Sequence, residues 1–220
     1  MGPFRDVRNE RVRTLLSLVK GTAVLHLGCV NHKAPRTVAE ERNSLHCQLV
    51  RHFLELHILG MDIDEQGIEQ MRLRGLTVTV GDAQALAARA EFDTVLAGEL
   101  IEHLENPGLC LERCRRALKP GGRLLVSTPN VFSVMLALMY LKDYDKAFNP
   151  EHSAWFCPQT LRELVSRSGL RLSRLLFVDD LEPELVDSRF YKAFCLSWKA
   201  ARPLLPRRYR NTMVGLCELP

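Results

Sequence analysis

The chain has 220 residues, 46% of them hydrophobic, which is enough apolar material for one sizeable core. A formal net charge of +4 is small and dispersed, whereas nucleic-acid-binding proteins concentrate basic residues on one face, so we expect no nucleic-acid partner. The seven cysteines form no C-x-x-C pair, and the first residues lack the apolar core of a signal peptide, so we expect reduced thiols in a cytoplasmic protein.

The N-terminal half alternates predicted helices with predicted strands. Apolar residues at helical spacing predict helices over 4–19, 45–56 and 65–74, and short apolar or alternating runs predict strands over 23–27, 57–63 and 76–80. Gly28 directly follows the first strand, where a residue without a side chain permits close approach of a ligand. Asp62 stands at the end of the second strand, where a carboxylate can accept hydrogen bonds from both hydroxyls of a ribose. Asp64 and Glu65 are alternatives for that role, or else cap the next helix.

The central stretch, residues 92–130, reads as strand, helix, strand. Predicted strands over 92–97 and 123–127 flank a helix over 107–118, which Pro120 and the two following glycines end. A helical crossover returns the second strand parallel to the first, so the residues that follow Ala97 lie past the carboxyl end of a parallel strand. Ligands bind at that edge of open α/β sheets.

The C-terminal part continues the same pattern. An apolar segment over 131–144 is followed by a predicted helix over 158–168 and by predicted strands over 170–178 and 213–219, the last one an antiparallel edge strand. The longest apolar run, residues 131–141, is far shorter than the roughly 20 residues that a membrane-spanning helix needs. Residues 202–210 are basic with one tyrosine, and they indicate either a solvated loop or weak contact with a membrane surface or an anionic acceptor.

Four short motifs carry a resemblance to a known family. They are Phe92-Asp93, Glu102-His103, Leu118-Lys119-Pro120-Gly121-Gly122 and Thr128-Pro129-Asn130. In this order and at this spacing they resemble class I S-adenosylmethionine-dependent methyltransferases, specifically the small-molecule O-methyltransferases. The resemblance implies an α/β fold, a Rossmann-like doubly wound sheet of seven strands in the order 3-2-1-4-5-7-6 with the last strand antiparallel. It also implies one domain over 1–220, with an N-terminal helix in 1–20 and a substrate-side insert over 131–160.

The resemblance further implies S-adenosyl-L-methionine as the cofactor and a set of residues that bind it. These are Gly28 and Cys29 at the methionine end, Asp62 and Ile63 at the ribose, Asp82 and Ala83 at the adenine, and Ala97 and Gly98 near the ammonium. The first loop departs from the family pattern, because His26 stands at the acidic position, Val30 at the second glycine and His32 at the third. Asp82 equally suits a helix N-cap over 83–88.

Methyl transfer to oxygen needs positioning and removal of the acceptor's proton, so a histidine or a carboxylate near the donor suffices. The catalytic candidates are Glu102, His103 and His152, each of which has a structural alternative. The same three residues are competent ligands for a divalent ion, but their spacing matches no ligand signature, so we expect no metal.

We expect a small-molecule acceptor with a hydroxyl, such as a saccharide or a phenol. The alternatives are methyl transfer to carbon or nitrogen of a small metabolite, and a non-catalytic adenosylmethionine-binding protein. A nicotinamide dehydrogenase is disfavoured, because G-x-G-x-x-G is missing from the first loop.

Overall fold

A computed structural model of the chain describes residues 4, 7, 9–30, 44–142, 149–180, 196–198 and 200–220. Seven strands form one sheet in the order β3-β2-β1-β4-β5-β7-β6, which confirms the expected order. The strands are β1 (Ala23–Leu27), β2 (His57–Asp62), β3 (Val78–Val80), β4 (Phe92–Gly98), β5 (Leu118–Pro129), β6 (Arg171–Val178) and β7 (Thr212–Glu218). β7 runs antiparallel to both β5 and β6. The expectation that the last strand is an edge strand is wrong, because β7 lies between β5 and β6.

Helices connect and flank the strands within the described residues. They are α1 (Glu10–Leu18), α2 (Leu45–His52), α3 (Glu65–Leu73), α4 (Pro107–Ala117), α5 (Val134–Lys142) and α6 (Pro158–Arg167). Helix α1 begins six residues later than predicted, because the Asn9 side chain accepts a hydrogen bond from the backbone N–H of Val12 and caps the helix there. Helix α2 ends at His52, and not at residue 56 as predicted.

The sheet separates the two largest apolar clusters among the described residues. Alternate residues of the central strands pack against α4 and α6 on one face, and their neighbours pack against α1 and α2 on the other. Leu25 and Leu27 illustrate the first face and Val24 the second. Because both faces are covered, the carboxyl-terminal edge of the parallel strands is the region left for a ligand.

The LKPGG motif forms the first part of a long strand and does not simply end a helix. The predicted strand over 123–127 is extended to Leu118–Pro129, and its pairing with β4 shifts register beside Asp93. Gly121 adopts a φ of +75°, a conformation that glycine tolerates without steric cost. The Asp93 carboxylate accepts hydrogen bonds from Thr22 N and Ala23 N, each at 2.9 Å. These bonds and the nearby Lys119 lower the pKa of Asp93 to about 2.

Across the described ranges, no helix combines the length and the apolar character that crossing a bilayer would require.

Candidate active site

The loop after β1 is held by Asp62 at the end of β2. Gly28, with a φ of +68°, donates its N–H to Met61 O at 2.9 Å. Asp62 is buried, and its two carboxylate oxygens accept hydrogen bonds from Val30 N at 2.9 Å and from Asp64 N at 3.0 Å. Each carboxylate oxygen can accept more than one bond, so Asp62 can hold the loop and still accept from a ligand hydroxyl.

The Val30 side chain packs against helix α3 at Gly67, which has no side chain. A Cβ placed on Gly67, in the first turn of α3, would lie 2.4 Å from Val30 Cγ1. The valine side chain therefore packs toward Gly67 in the helix, at the position where the resemblance implies a glycine. His32, at the third glycine position, lies outside the described residues.

A histidine pair replaces the acid at the end of β1. His26 and His46 are 2% and 0% exposed, and their Nδ1 atoms are 3.3 Å apart, so one ring donates and the other accepts. Burial holds the pKa of His26 well below its usual value, with further lowering by His46 and Arg11, and burial lowers the pKa of His46 to about 4. Gly60 provides the space, since a Cβ there would lie 2.7 Å from His46 Cε1. The pair is neutral at physiological pH, and the carboxylate expected from the family has no counterpart at this position.

The adenine candidates lie at the same edge. The Asp82 carboxylate accepts from Gln84 N at 2.8 Å and caps a single 3-10 turn over Ala83–Ala85, so the capping role is present although the longer helix over 83–88 is not. Asp82 is exposed and Ala83 is buried. Ile63, which follows Asp62, leaves 67% of its surface exposed at the strand ends. An exposed isoleucine beside Asp62 presents an apolar face that could contact a base.

Helix α1 contributes a cation that the sequence reading missed. Arg11 Nη1 lies 3.4 Å from the position of a Cβ on Gly98, at the end of β4, and Arg11 Nε donates to the Asp180 carboxylate at 2.7 Å. Ala97, the residue before Gly98, is fully buried. Burial raises the pKa of Glu99 to about 7, and Arg11 offsets part of that rise. The sequence signal for Arg11 is a charged residue one position before the apolar Val12 of an amphipathic helix, which does not by itself indicate a ligand.

Glu102 lies in a 3-10 turn, Ile101–His103, just past β4. The side chain is 1% exposed, and neither carboxyl oxygen makes a hydrogen bond within the described residues. Burial and the charge of Glu99 raise the pKa of Glu102 well above its usual value. Its carbonyl oxygen accepts from Ser153 N at 2.8 Å and from Ala154 N at 3.1 Å. These two backbone hydrogen bonds join the Glu102 turn to the segment that carries His152.

His152 and His103 meet in this region. Their ring centroids are 4.6 Å apart with planes at 86°, and the Trp155 ring is 5.0 Å from that of His152 on another side. Nδ1 of His152 is buried and makes no hydrogen bond within the described residues. Burial and the neighbouring His103 lower the pKa of His152 to about 4.

The structure thus brings the three catalytic candidates together. One ligand atom each from Glu102, His103 and His152 lies within 4.8 Å of the other two. This cluster and the cofactor candidates share the carboxyl-terminal edge of the sheet, where β1, β2 and β4 end. The arrangement can hold a nucleoside-like ligand beside a set of proton-accepting groups, and the same three atoms could ligate a divalent ion.

Parts of the chain are similar to known methyltransferases. Residues 42–126 match a family model described as a methyltransferase domain. A ubiquinone biosynthesis O-methyltransferase from Azoarcus sp. is 32% identical over 134 residues, which are 51% of this chain and 58% of that protein. The chain spans less than two thirds of the length of the curated relatives it matches.

Solved structures share the fold at low sequence identity. A putative methyltransferase from Haloferax volcanii, in complex with the activator Trm112, superposes with a TM-score of 0.64 at 17% identity, covering 94% of this chain and 88% of the other. A possible histamine N-methyltransferase from Thermotoga maritima gives 0.61 at 21% identity, covering 81% and 77%. At these identities the likeness shows the fold and leaves the acceptor open.

Proposed function

We propose that this chain, which carries a class I S-adenosylmethionine-dependent methyltransferase domain, transfers a methyl group to a hydroxyl oxygen of a small molecule. The observation that carries the proposal is the cluster of Glu102, His103 and His152 at the edge of the sheet where the cofactor candidates lie. Relatives named O-methyltransferases support oxygen as the acceptor atom. The absence of an Asn/Asp-Pro-Pro-Tyr motif supports it too, since Thr128-Pro129-Asn130 stands near that motif's position. We place saccharides and phenols first among acceptors.

The cofactor fits the residues present. The positive φ of Gly28 keeps the first loop open to close approach, and Asp62 retains accepting capacity for the ribose hydroxyls. Ile63 and Ala83 would flank the adenine, and Asp82 would accept from it. Because the His26–His46 pair carries no charge, we assign the methionine carboxylate to Arg11 and its ammonium to the backbone at Ala97 and Gly98.

S-adenosylmethionine supplies an activated methyl on sulfur, so the chain's own task is to orient the acceptor and receive its proton. His152 Nδ1 is buried without a partner, in position to accept a hydrogen bond from an acceptor hydroxyl. Its lowered pKa makes it a weak base. A weak base suffices here, because a hydroxyl becomes strongly acidic as its oxygen bonds to the methyl carbon. Trp155 and His103 hold the ring from two sides and limit its orientation.

A metal-assisted variant of the same reaction is the second candidate. Ligand atoms within 4.8 Å of one another, one of them from a buried carboxyl that makes no hydrogen bond to the described residues, are compatible with a divalent ion that would bind the acceptor hydroxyl as a Lewis acid. Turnover after exhaustive chelation, compared with turnover after adding back Mg²⁺ or Zn²⁺, distinguishes the two versions. Unchanged turnover in chelator favours His152 as the proton acceptor.

The decisive variant is His152→Ala, with His57→Ala as a matched control because His57 is exposed at the start of β2. Donor affinity, melting temperature and turnover are measured on each sample with labelled S-adenosylmethionine and a panel of hydroxylated acceptors. We expect turnover to fall by about 10²–10⁴ with donor affinity retained. Turnover close to wild type would remove His152 from catalysis.

The remaining alternatives differ in their products. Methyl found only on nitrogen or carbon of the product would refute the oxygen assignment. Donor binding without turnover on any acceptor would favour a non-catalytic adenosylmethionine-binding protein, for which the altered first loop is the motivating feature.

A further inference from the structure

An exposed apolar and basic surface lies at the same edge of the sheet as the cluster. On one side, the segment from Phe132 through α5 leaves large apolar side chains exposed: Phe132 (65%), Leu138 (45%), Tyr140 (43%) and Leu141 (80%). On the other side, Leu204 is 85% exposed, and Arg207 and Arg208 are exposed beside it. We call these seven residues the rim.

One buried side chain holds the two halves of the rim together. Asn130, at the carboxyl end of β5, is 0% exposed. Its Nδ2 donates to the carbonyl oxygens of Arg208 and Arg210, each at 2.9 Å, while its Oδ1 accepts from Phe132 N at 3.2 Å. The basic loop and the start of the apolar segment are therefore fixed side by side.

The arginines of this loop divide into two groups. Arg210 pairs with Glu10 at 2.7 Å, and Arg202 pairs with Asp179 at 3.1 Å, so both are engaged in tying the loop to α1 and β6. Arg207 and Arg208 make no salt bridge with any other described residue, and the Arg208 guanidinium lies 5.2 Å from the Tyr209 ring centroid. Arg207 and Arg208 are thus exposed to solvent and take no part in the salt bridges that Arg202 and Arg210 make.

We propose that the rim docks onto the surface of a bilayer that contains anionic lipids. Exposed aliphatic and aromatic side chains insert at the boundary between headgroups and acyl chains, and adjacent arginines pair with anionic headgroups. No helix within the described ranges could span the bilayer, so the contact is peripheral. The catalytic cluster would then open toward the lipid surface, because both lie at the carboxyl-terminal edge of the sheet.

A second copy of the chain is a poorer occupant of the rim. In a two-fold symmetric dimer the same patch meets itself, which would bring Arg207 and Arg208 close to the same two arginines of the other copy. Like charges that approach across an interface oppose association. An anionic surface complements both the charge and the apolar side chains.

The test is co-sedimentation of the full chain with vesicles, without donor or acceptor, so that the result is independent of the proposed methyl transfer. The chain is expected to bind vesicles of phosphatidylcholine with 30% phosphatidylglycerol in 0.1 M salt, and to be released by 0.5 M salt or by vesicles of phosphatidylcholine alone. Arg207→Gln/Arg208→Gln is expected to weaken partitioning about 25-fold, at about fivefold for each cation lost. Phe132→Ser/Leu141→Ser is expected to weaken it about tenfold or more by removing the inserting side chains.

The matched control is Arg74→Gln/Arg89→Gln. It removes two exposed arginines from the loops that lead into the amino ends of β3 and β4, at the opposite edge of the sheet. Control partitioning equal to wild type, together with loss in the rim variants, supports the proposal. Absence of vesicle binding, or equal loss in rim and control variants, would overturn it. A third result would also overturn the proposal: light scattering shows a concentration-dependent dimer, the rim variants are monomeric, and wild type does not bind vesicles. Self-association would then cover the rim.

Discussion

The buried His26–His46 pair is expected to make the folded state sensitive to mild acid. A histidine whose folded pKa is lowered binds its proton more weakly in the folded state than in the unfolded state, so stability is lost as pH falls below about 6.5. For His46, with a folded pKa of about 4, the loss is about 2 kcal/mol at pH 5 and about 3 kcal/mol at pH 4. His26 adds to the loss in the same direction.

Other buried groups titrate in the same pH range, and a comparison of wild type with a variant separates their effect on stability from that of the histidine pair. The raised pKa of Glu99, about 7, works in the opposite direction, because the folded state then binds the proton more tightly and gains stability as pH falls toward 4.5. His152 works in the same direction as His46. Both remain in a His26→Gln/His46→Gln variant, so the difference in pH dependence between wild type and variant isolates the pair.

Urea unfolding at pH 7.5, 6.0 and 5.0 measures this difference. We expect the stability of wild type relative to the variant to fall by at least about 2 kcal/mol between pH 7.5 and 5.0, the His46 contribution alone, with His26 adding to it. NMR of the folded wild type provides a check that needs no buried substitution, since the ring protons of His26 and His46 are expected not to shift above pH 5. A midpoint near pH 6.5 for His46, or parallel stability curves for the two proteins, would refute the reasoning.

Two further predictions concern local packing and are read from unfolding curves at pH 7. Gly67→Ala places a Cβ 2.4 Å from Val30 Cγ1 and 2.7 Å from Asp64 Oδ2, so we expect it to cost about 1–3 kcal/mol. Gly108→Ala, with its nearest contacts at 3.5 and 3.6 Å, should be neutral or stabilising, and a Gly67→Ala stability equal to wild type would contradict this reasoning. Asp93→Ala should lower the free energy of unfolding by about 2 kcal/mol, because it removes a charged acceptor from two backbone N–H groups. Because the folded pKa of Asp93 is lowered, the stability advantage of wild type should fade as pH drops from about 4 to 2. An Asp93→Ala stability equal to wild type at pH 7 would disprove that role.

Much of the fold could be predicted from the sequence, because the spacing of apolar residues predicts the strands and helices. The strand order follows from the resemblance. The region of the three catalytic candidates was likewise predictable, since Glu102 and His103 follow a strand end and His152 lies in the substrate-side segment. Helix ends were less predictable: α1 begins at its Asn9 cap although apolar spacing extends further back. The position of β7 was misjudged as an edge although the stated strand order already placed it inside the sheet.

The parts that could not be predicted depend on contacts between distant segments. Val30 is tolerated because Gly67, 37 positions later, lacks a side chain, and the His26–His46 pair fits because Gly60 lies beside it. Arg11 reaches Gly98 only because α1 packs over the central strands. Likewise, the perturbed pKa of His152 results from burial and from His103, neither of which local sequence encodes.

The most direct test of the account is calorimetric titration of S-adenosylhomocysteine into wild type, Asp62→Ala and Glu65→Ala. We expect wild type to bind one equivalent and Asp62→Ala to bind more weakly by about 1.5–3 kcal/mol, because charge-assisted hydrogen bonds to the ribose are lost. Glu65, the alternative ribose acid named from the sequence, is exposed in the first turn of α3, and Glu65→Ala should leave affinity unchanged if Asp62 holds the ribose. Melting temperatures of the three proteins show whether the loss reflects the loop that Asp62 also holds. Absence of binding by wild type would contradict the methyltransferase assignment itself, and an Asp62→Ala affinity equal to wild type would contradict the site described here.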